Sequence, residues 1–187
     1  MINDHSQRGL SLVELIVCIV IVAILANIAF PSMKNVIDNS QRKAVINGTL
    51  GLFAVARQEA VLNGTLVTLC PLGPGNQCGK DWSRQVAVFK DPENQREITS
   101  DSEIIRVLPP PERGFLKAAS LNRSYFQYRP DGMTHSDLGN ITWCPDDLDP
   151  SKAAHLVIRR SGSVRLARDG NGDGIPDRSN GQPVTCN

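Results

Sequence analysis

The chain has 187 residues and a formal net charge of +1, with 41% of its residues hydrophobic and 21% charged. That balance excludes a highly charged disordered chain, and it gives no bulk electrostatic reason to expect nucleic acid or an acidic surface as partner. Once a first apolar segment is set aside, about 150 residues remain, enough for one globular domain with a real core; a second domain is not expected.

In chain order, a short polar leader comes first and the run Leu15 to Phe30 follows, uncharged and almost wholly apolar. As a helix that run would reach roughly 24 Å, and Ser32 and Met33 extend it towards the ~30 Å of a bilayer core before Lys34. A secretory signal peptide is the plain alternative, marked by a basic start and a small-x-small cleavage site. Here Arg8 is set against Asp4, no Ala-x-Ala follows the run, and Glu14 sits where such a signal would be apolar. A carboxylate is costly in lipid unless it finds a partner, so Glu14 is a functional candidate.

The order Gly9, Leu10, Ser11, Leu12, Val13, Glu14 before a long apolar helix resembles the class III signal of type IV prepilins and type II secretion pseudopilins. The resemblance implies that a prepilin peptidase cuts between Gly9 and Leu10 on the cytoplasmic side and methylates the new amine of Leu10. Residues 1–9 are then a cleaved leader, residues 10–33 a single transmembrane helix in the inner membrane, and residues 34–187 a periplasmic domain that includes the second half of the long helix. The first mature residue is more often Phe in that family, so Leu10 is a departure. The resemblance also gives Glu14 a role: it would pair with the freed amine of a neighbouring subunit, so that its charge is neutralised only on assembly. Other minor and major pilins or pseudopilins are the implied partners.

Pro31 is expected to interrupt and kink the helix, since it removes a donor and crowds the preceding turn. The helical pattern resumes with Val45, Leu52, Ala56 and Ala60 at three- and four-residue spacings, alongside Leu50 and Phe53, and ends at Asn63–Gly64. The stretch "LFAVARQEAVLNG" resembles the second half of the long helix in the GspH/FimT branch of pseudopilins; Arg57 and Glu59 within it either are solvated or cap the fold, and the solvated reading is preferred.

Past Gly64 come short runs rich in Val, Ile, Thr and aromatics, separated by turn residues: "TLVTLC", "QVAVF", "EIIRVL", "SYFQY", "NITWC", "HLVIRR" and "SVRLA". One long helix followed by antiparallel strands is an α+β fold of the type IV pilin-like kind. "LPPPERG", Leu108 to Gly114, reads as a stiff exposed connection. Five cysteines occur; Cys18 lies in the apolar run, leaving Cys70, Cys78, Cys144 and Cys186. An even set beyond the membrane suits two disulfides, and of the three possible connectivities Cys70 with Cys78 and Cys144 with Cys186 is preferred. Zinc is disfavoured, because no C-x-x-C pair is present and His135 and His155 are isolated.

Three segments are candidates for chemistry. "YFQYRPDG", Tyr125 to Gly132, resembles the F-x-x-x-G strand and turn of GspH/FimT proteins. It reads as a strand with one aromatic face in the core and a type I turn at "RPDG", against the rival reading that Tyr125 or Tyr128 stacks nucleic-acid bases beside Arg129. "RRSGSVRLAR" gathers Arg159, Arg160, Arg165 and Arg168 around a hairpin turn at Ser161–Gly162. A G-R-x-R motif in FimT proteins of natural transformation binds DNA; here Gly162, Ser163, Val164 and Arg165 match it except that Ser163 replaces the first arginine. Double-stranded DNA, held through phosphates, is the implied partner. "DGNGDGIPD" alternates Asp169, Asn171 and Asp173, then the Ile175 carbonyl and Asp177, an oxygen set suited to Ca²⁺. It resembles the first part of an EF-hand-like or thrombospondin type 3 loop, without the closing glutamate. No cofactor is otherwise required. With no G-x-S-x-G, H-E-x-x-H or P-loop motif, the chain is not read as an enzyme. The expectation is a minor type IV pilin acting in pilus assembly or tip priming, with a type II secretion pseudopilin or a DNA receptor of natural transformation as alternatives.

Overall fold

Ser11 closes the start of the helix. Its Oγ accepts the Glu14 N–H at 3.2 Å and its carbonyl accepts the Leu15 N–H at 3.2 Å, the bonding of an N-cap. In the computed structural model, which describes residues 11–120, 123–135 and 138–187, helix α1 then runs Leu12–Asn63 as one element. Among the helical residues, the side chains of 28–32, 34 and 35 are not described. The helix continues through Pro31, so the expected interruption is absent and the expected resumption is present. One missing donor is a small loss against the many bonds of a 52-residue helix. The far end is closed where the Asn-Gly pair predicts: Gly64 takes a left-handed conformation (φ 59°), and the Thr65 N–H reaches back to the Ala60 carbonyl at 3.2 Å.

The chain divides into two units, Met1–Ser40 and Gln41–Asn187. In the first, the described part of α1 is apolar on all sides and exposed, from Leu12 to Leu25. Among the described residues no helix is long and apolar enough to cross a membrane. The uncharged run seen in the sequence continues into residues 28–32, whose side chains lie outside the described set.

The second unit holds the core. From Gln41 onward α1 turns Ile46, Thr49, Phe53, Ala56 and Ala60 to one side, all buried, at the three- and four-residue spacing of a helical stripe. Ala56 and Ala60 keep the helix close to the strands beneath, while Phe53 fills the space between. Its ring meets Phe126 edge-on at 5.3 Å between centroids and Tyr128 at 6.3 Å, and Phe126 in turn meets Trp82 at 5.5 Å.

Two antiparallel sheets complete the unit. The first orders its strands β3-β2-β1-β5, with β1 Val67–Pro71, β2 Val86–Lys90, β3 Ile104–Leu108 and β5 Phe126–Tyr128. The second orders them β4-β6-β7-β8, with β4 Phe115–Ala119, β6 Gly139–Cys144, β7 Ala154–Ile158 and β8 Val164–Leu166. This is the expected α+β arrangement of a helix on antiparallel sheets. Strand β4 was not foreseen: "FLKAA" is mostly Lys and Ala, which have low strand preference, and it is held by its pairing with β6, Leu116 opposite Trp143.

Each sheet is covered on its second face as well. Cys70, Ala87, Phe89 and Ile98 form a small cluster on the first, and Cys144, Ala153, Val184 and Cys186 form another on the second. A disulfide lies in each cluster, Cys70–Cys78 across eight residues and Cys144–Cys186 across 42, the pairing preferred from the sequence. Burial on both faces explains why every residue of β1 and β7 is buried, the polar Thr68 and His155 included.

Candidate assembly and nucleic-acid surfaces

Gly9 and Leu10, the expected cleavage and methylation positions, lie outside the described residues. Glu14 is described: it stands in the first turn of α1 and is exposed, as are the apolar residues that follow it. A carboxylate is favoured at that end of a helix, where free N–H groups concentrate positive potential. Asn27, the polar interruption of the apolar run, donates its Nδ2 to the Ala23 carbonyl at 2.7 Å and so satisfies itself within the helix. The described stretch Leu12–Leu25 therefore presents apolar surface around one carboxylate. That surface is stable only against lipid or other helices.

The aromatic segment resolves in favour of packing. Phe126 and Tyr128 are fully buried, and the Tyr128 hydroxyl donates to the Gly162 carbonyl at 2.9 Å. Burial raises the Tyr128 pKa well above the ordinary phenol range, against a smaller opposing effect of Arg57. Tyr128 is thus closed to a stacking base, a correction to the rival reading. Tyr125 is half-buried on the outer side, with the Arg96 guanidinium 5.5 Å and that of Arg123 5.9 Å from its ring centroid.

"RPDG" forms the expected turn: the Gly132 N–H donates to the Arg129 carbonyl at 2.8 Å, and the Arg129 N–H to that of Met133 at 2.9 Å. The segment Arg159–Ser163 repeats this closure, with Gly162 to Arg159 and Arg159 to Ser163 both at 2.9 Å. The two turns stack, since the Thr134 N–H donates to the Arg160 carbonyl at 3.1 Å. Gly162 is held at φ 81°, and a Cβ there would stand 2.1 Å from the Gly132 carbonyl oxygen. Arg57 lies over both turns, its Nε 3.2 Å from where a Cβ of either glycine would be. Both sequence readings of Arg57 hold in part: it is exposed, and it also caps this pair of turns. Glu59 fastens the helix end instead, accepting from Asn63 Nδ2 at 2.7 Å.

The structure separates the four arginines of the basic segment. Val157 is opposite Arg165, and Arg159 lies two residues beyond Val157, so Arg159 and Arg165 share one face of the β7–β8 hairpin. Arg160 sits in the turn. Arg168 falls beyond β8, where its carbonyl accepts the Asp177 N–H at 3.1 Å. Among the described residues neither Arg159 nor Arg165 is ion-paired with a carboxylate.

The carboxylates of the acidic loop accept hydrogen bonds from the loop itself. Asp169 accepts the amides of Gly172 and Gly174, both at 2.7 Å, and these bonds, Gly174 first, hold its pKa below the usual carboxylate range. Asp173 accepts from Asn171 Nδ2 at 2.9 Å and from the Ile175 amide at 2.8 Å, and Asp177 from the Gly170 amide at 2.8 Å. Among the described residues no group of three or more His, Cys, Asp or Glu side chains is placed to hold a metal ion. The alternation Asp169, Asn171, Asp173 and Asp177 thus forms a loop tied by its own backbone, and the Ile175 carbonyl lies within that same loop.

Two buried polar sites escaped the sequence reading. Asp91, 3% exposed, accepts from Thr68 Oγ1 at 2.7 Å and from the amides of Gln95 and Arg96 at 2.7 and 3.1 Å, tying the 91–96 loop to β1. His155, 2% exposed, shares a 2.8 Å hydrogen bond through Nδ1 with Thr142 Oγ1. Burial, and then Arg178, pushes its pKa down to about 4.

With this geometry established, the chain matches the family described as "Type II transport protein GspH" over residues 46–162 and the "Prokaryotic N-terminal methylation motif" over residues 4–30. The protein belongs to the GspH family. No curated protein sequence matches it. Its fold is similar to the type IV minor pilin FimU of Pseudomonas aeruginosa, at 13% identity and TM-score 0.53, covering 80% of this chain and 97% of that one. It is also similar to the minor pseudopilin EpsH from the Type 2 Secretion System of Vibrio cholerae, at 12% identity and TM-score 0.51, covering 70% and 99%. Members of the GspH family are pilins and pseudopilins, which are structural subunits and not enzymes. The methylation motif spans Gly9 through Glu14 and so implies processing by a prepilin peptidase and assembly with other pilins.

Proposed function

We propose that this GspH-family protein is a minor type IV pilin that acts in pilus biogenesis, by assembly or tip priming, and has no catalytic activity of its own. The observation that carries the reading is the start of α1. A Ser11-capped helix presents Glu14 in its first turn and then apolar side chains on every side, directly after the Gly9–Leu10 pair of the methylation motif. Such a helix buries its surface in the inner membrane as a single pass before assembly, and against other subunits afterwards. Two disulfides in the domain suit an oxidising periplasm. The type II secretion pseudopilus is the rival setting. Deleting the gene and restoring it on a plasmid separates the two: surface filaments counted by electron microscopy fall in the deletion strain if the reading is right. Normal filaments with a loss of secreted exoprotein would move the protein to the secretion system.

A second reading is favoured by one observation, the placement of Arg159 and Arg165 on the same face with no carboxylate paired to either. It gives the chain a weak, sequence-indifferent hold on duplex DNA through phosphates. Anisotropy of a labelled duplex with the full chain in detergent tests it: affinity falls with salt, and Arg165→Gln lowers the salt slope by about one. An absence of binding at low salt would remove this role and leave filament assembly untouched.

A further inference from the structure

The second sheet ends in an open edge. β8 is the last strand in the order and pairs only with β7. Arg159 N–H donates to the Ser163 carbonyl at 2.9 Å and Ala167 N–H to the His155 carbonyl at 2.7 Å, so residues 163, 165 and 167 are the ones bonded to β7. By the alternation of an antiparallel ladder, the N–H and C=O groups of Val164 and Leu166 then point away from it. Among the described residues no strand or bridge takes up that side. Unpaired edge groups of this kind are a template for another strand; β8 is three residues long and contains no proline, and its one charge, Arg165, stands opposite Val157 in the register.

A groove of about 560 Å³ continues from this edge. Val164 contributes to one wall, and α1 supplies the other with Leu50, Ala54, Val61 and Leu62, with Arg57 among them. Val61 and Leu62 are 51% and 69% exposed, a high value for apolar side chains in the unit that holds the core. Residues 50–62 advance roughly 18 Å along the helix, the length of about five residues of extended chain. Arg57 is the single cation of the lining, and among the described residues it is ion-paired with no carboxylate. Backbone groups, apolar wall and cation therefore ask for three different things of one ligand: an extended main chain, apolar side chains on one face, and a carboxylate.

We propose that β8 and this groove receive an extended apolar segment of a neighbouring filament subunit, added to the sheet as a further strand, with one of its carboxylates on Arg57. The main chain supplies affinity, and the Arg57 pair selects the register. The inference rests on the reading of the chain as a filament subunit, and its test is separate from the test of that reading: filament counts report entry into the pilus, whereas the measurement below reports the edge alone.

The full chain, labelled with ¹⁵N in detergent micelles, is titrated with a blocked heptapeptide alternating Val and Thr with one central Glu. The amide resonances of Val164 and Leu166 should shift and gain protection from exchange. Replacing the peptide's Glu by Lys, or the protein's Arg57 by Gln, should weaken binding about fivefold, as for a partly exposed charge pair. Leu166→Pro should abolish it, because the lost N–H is not used within the sheet. Unmoved Val164 and Leu166 amides at millimolar peptide would overturn the proposal, as would equal affinity for the Glu and Lys peptides. Shifts of those amides with protein concentration alone would also overturn it, by assigning the edge to a second copy of this chain.

Discussion

The helix before Ser40 and the unit after it treat the same kind of side chain in opposite ways. In Met1–Ser40, Leu12 and Leu25 are 75% and 61% exposed, whereas in Gln41–Asn187 Phe53, Ala56, Leu69 and Phe126 are at or below 1%. The second unit satisfies its own apolar surface and seals both outer sheet faces with disulfides. The first satisfies nothing by itself. Burial at about 25 cal/mol per Å² is available to that helix only from lipid or from other chains, so its sequence is explained by an assembled state and the domain's sequence by the monomer.

The contrast breaks most completely at Glu14. Glu14→Ala should leave membrane insertion and cleavage intact yet reduce the protein in sheared filaments by more than about tenfold, if its charge pairs across subunits as proposed. Immunoblots of membrane and filament fractions check this; wild-type amounts in filaments would end the role given to Glu14. On the other side of the comparison, Phe53→Ala removes the ring between Phe126 and Tyr128 and should cost about 3–5 kcal/mol of domain stability, read by urea denaturation. The two disulfides sharpen the picture by their loop lengths. Cys144→Ser opens a span of 42 residues and should cost about 4 kcal/mol, whereas Cys70→Ser opens eight residues and should cost about 2.5 kcal/mol. A reversed order would mean that the tail's cover of the second sheet does not depend on its staple.

Near neutral pH the smallest effect is that of His155. Its folded pKa lies near 4, below the ordinary histidine value of 6.5, so the unfolded chain takes up a proton first as pH falls. Stability is therefore unaffected by this group above about pH 7, declines from about 6.5 towards 4, and levels below that. His155→Gln should flatten this part of the denaturation-midpoint curve relative to wild type. Parallel curves would show that the imidazole is not held neutral.

What the sequence revealed and what it concealed follow from the range of the interactions involved. Local signals were sufficient for the Asn63–Gly64 helix end, the "RPDG" turn, the arginine hairpin and most strands, since each depends on residues within a few positions. The cysteine pairing was reached by preference among three arrangements, and the two outer-face clusters give its physical reason. Strand β4 was hidden because its Lys and Ala residues owe their conformation to β6. Which turns Arg57 caps was hidden, because they lie at 129–133 and 159–163, far along the chain. The acidic loop reads as a cation site because its carboxylates are close in sequence; the structure adds backbone amides bonded to those same carboxylates, which a residue pattern does not display. Asp91 escaped for the same reason, its partners being Thr68 and the loop amides.

The account rests on the chain entering a filament with its helix exposed for packing and its leader removed. Intact-mass and peptide mass spectrometry of sheared filaments decides that directly. The expected chain begins at Leu10 and carries one methyl group on its amine, present alongside the other filament subunits. A chain that begins at Met1 and stays in the membrane fraction while filaments form normally would contradict it.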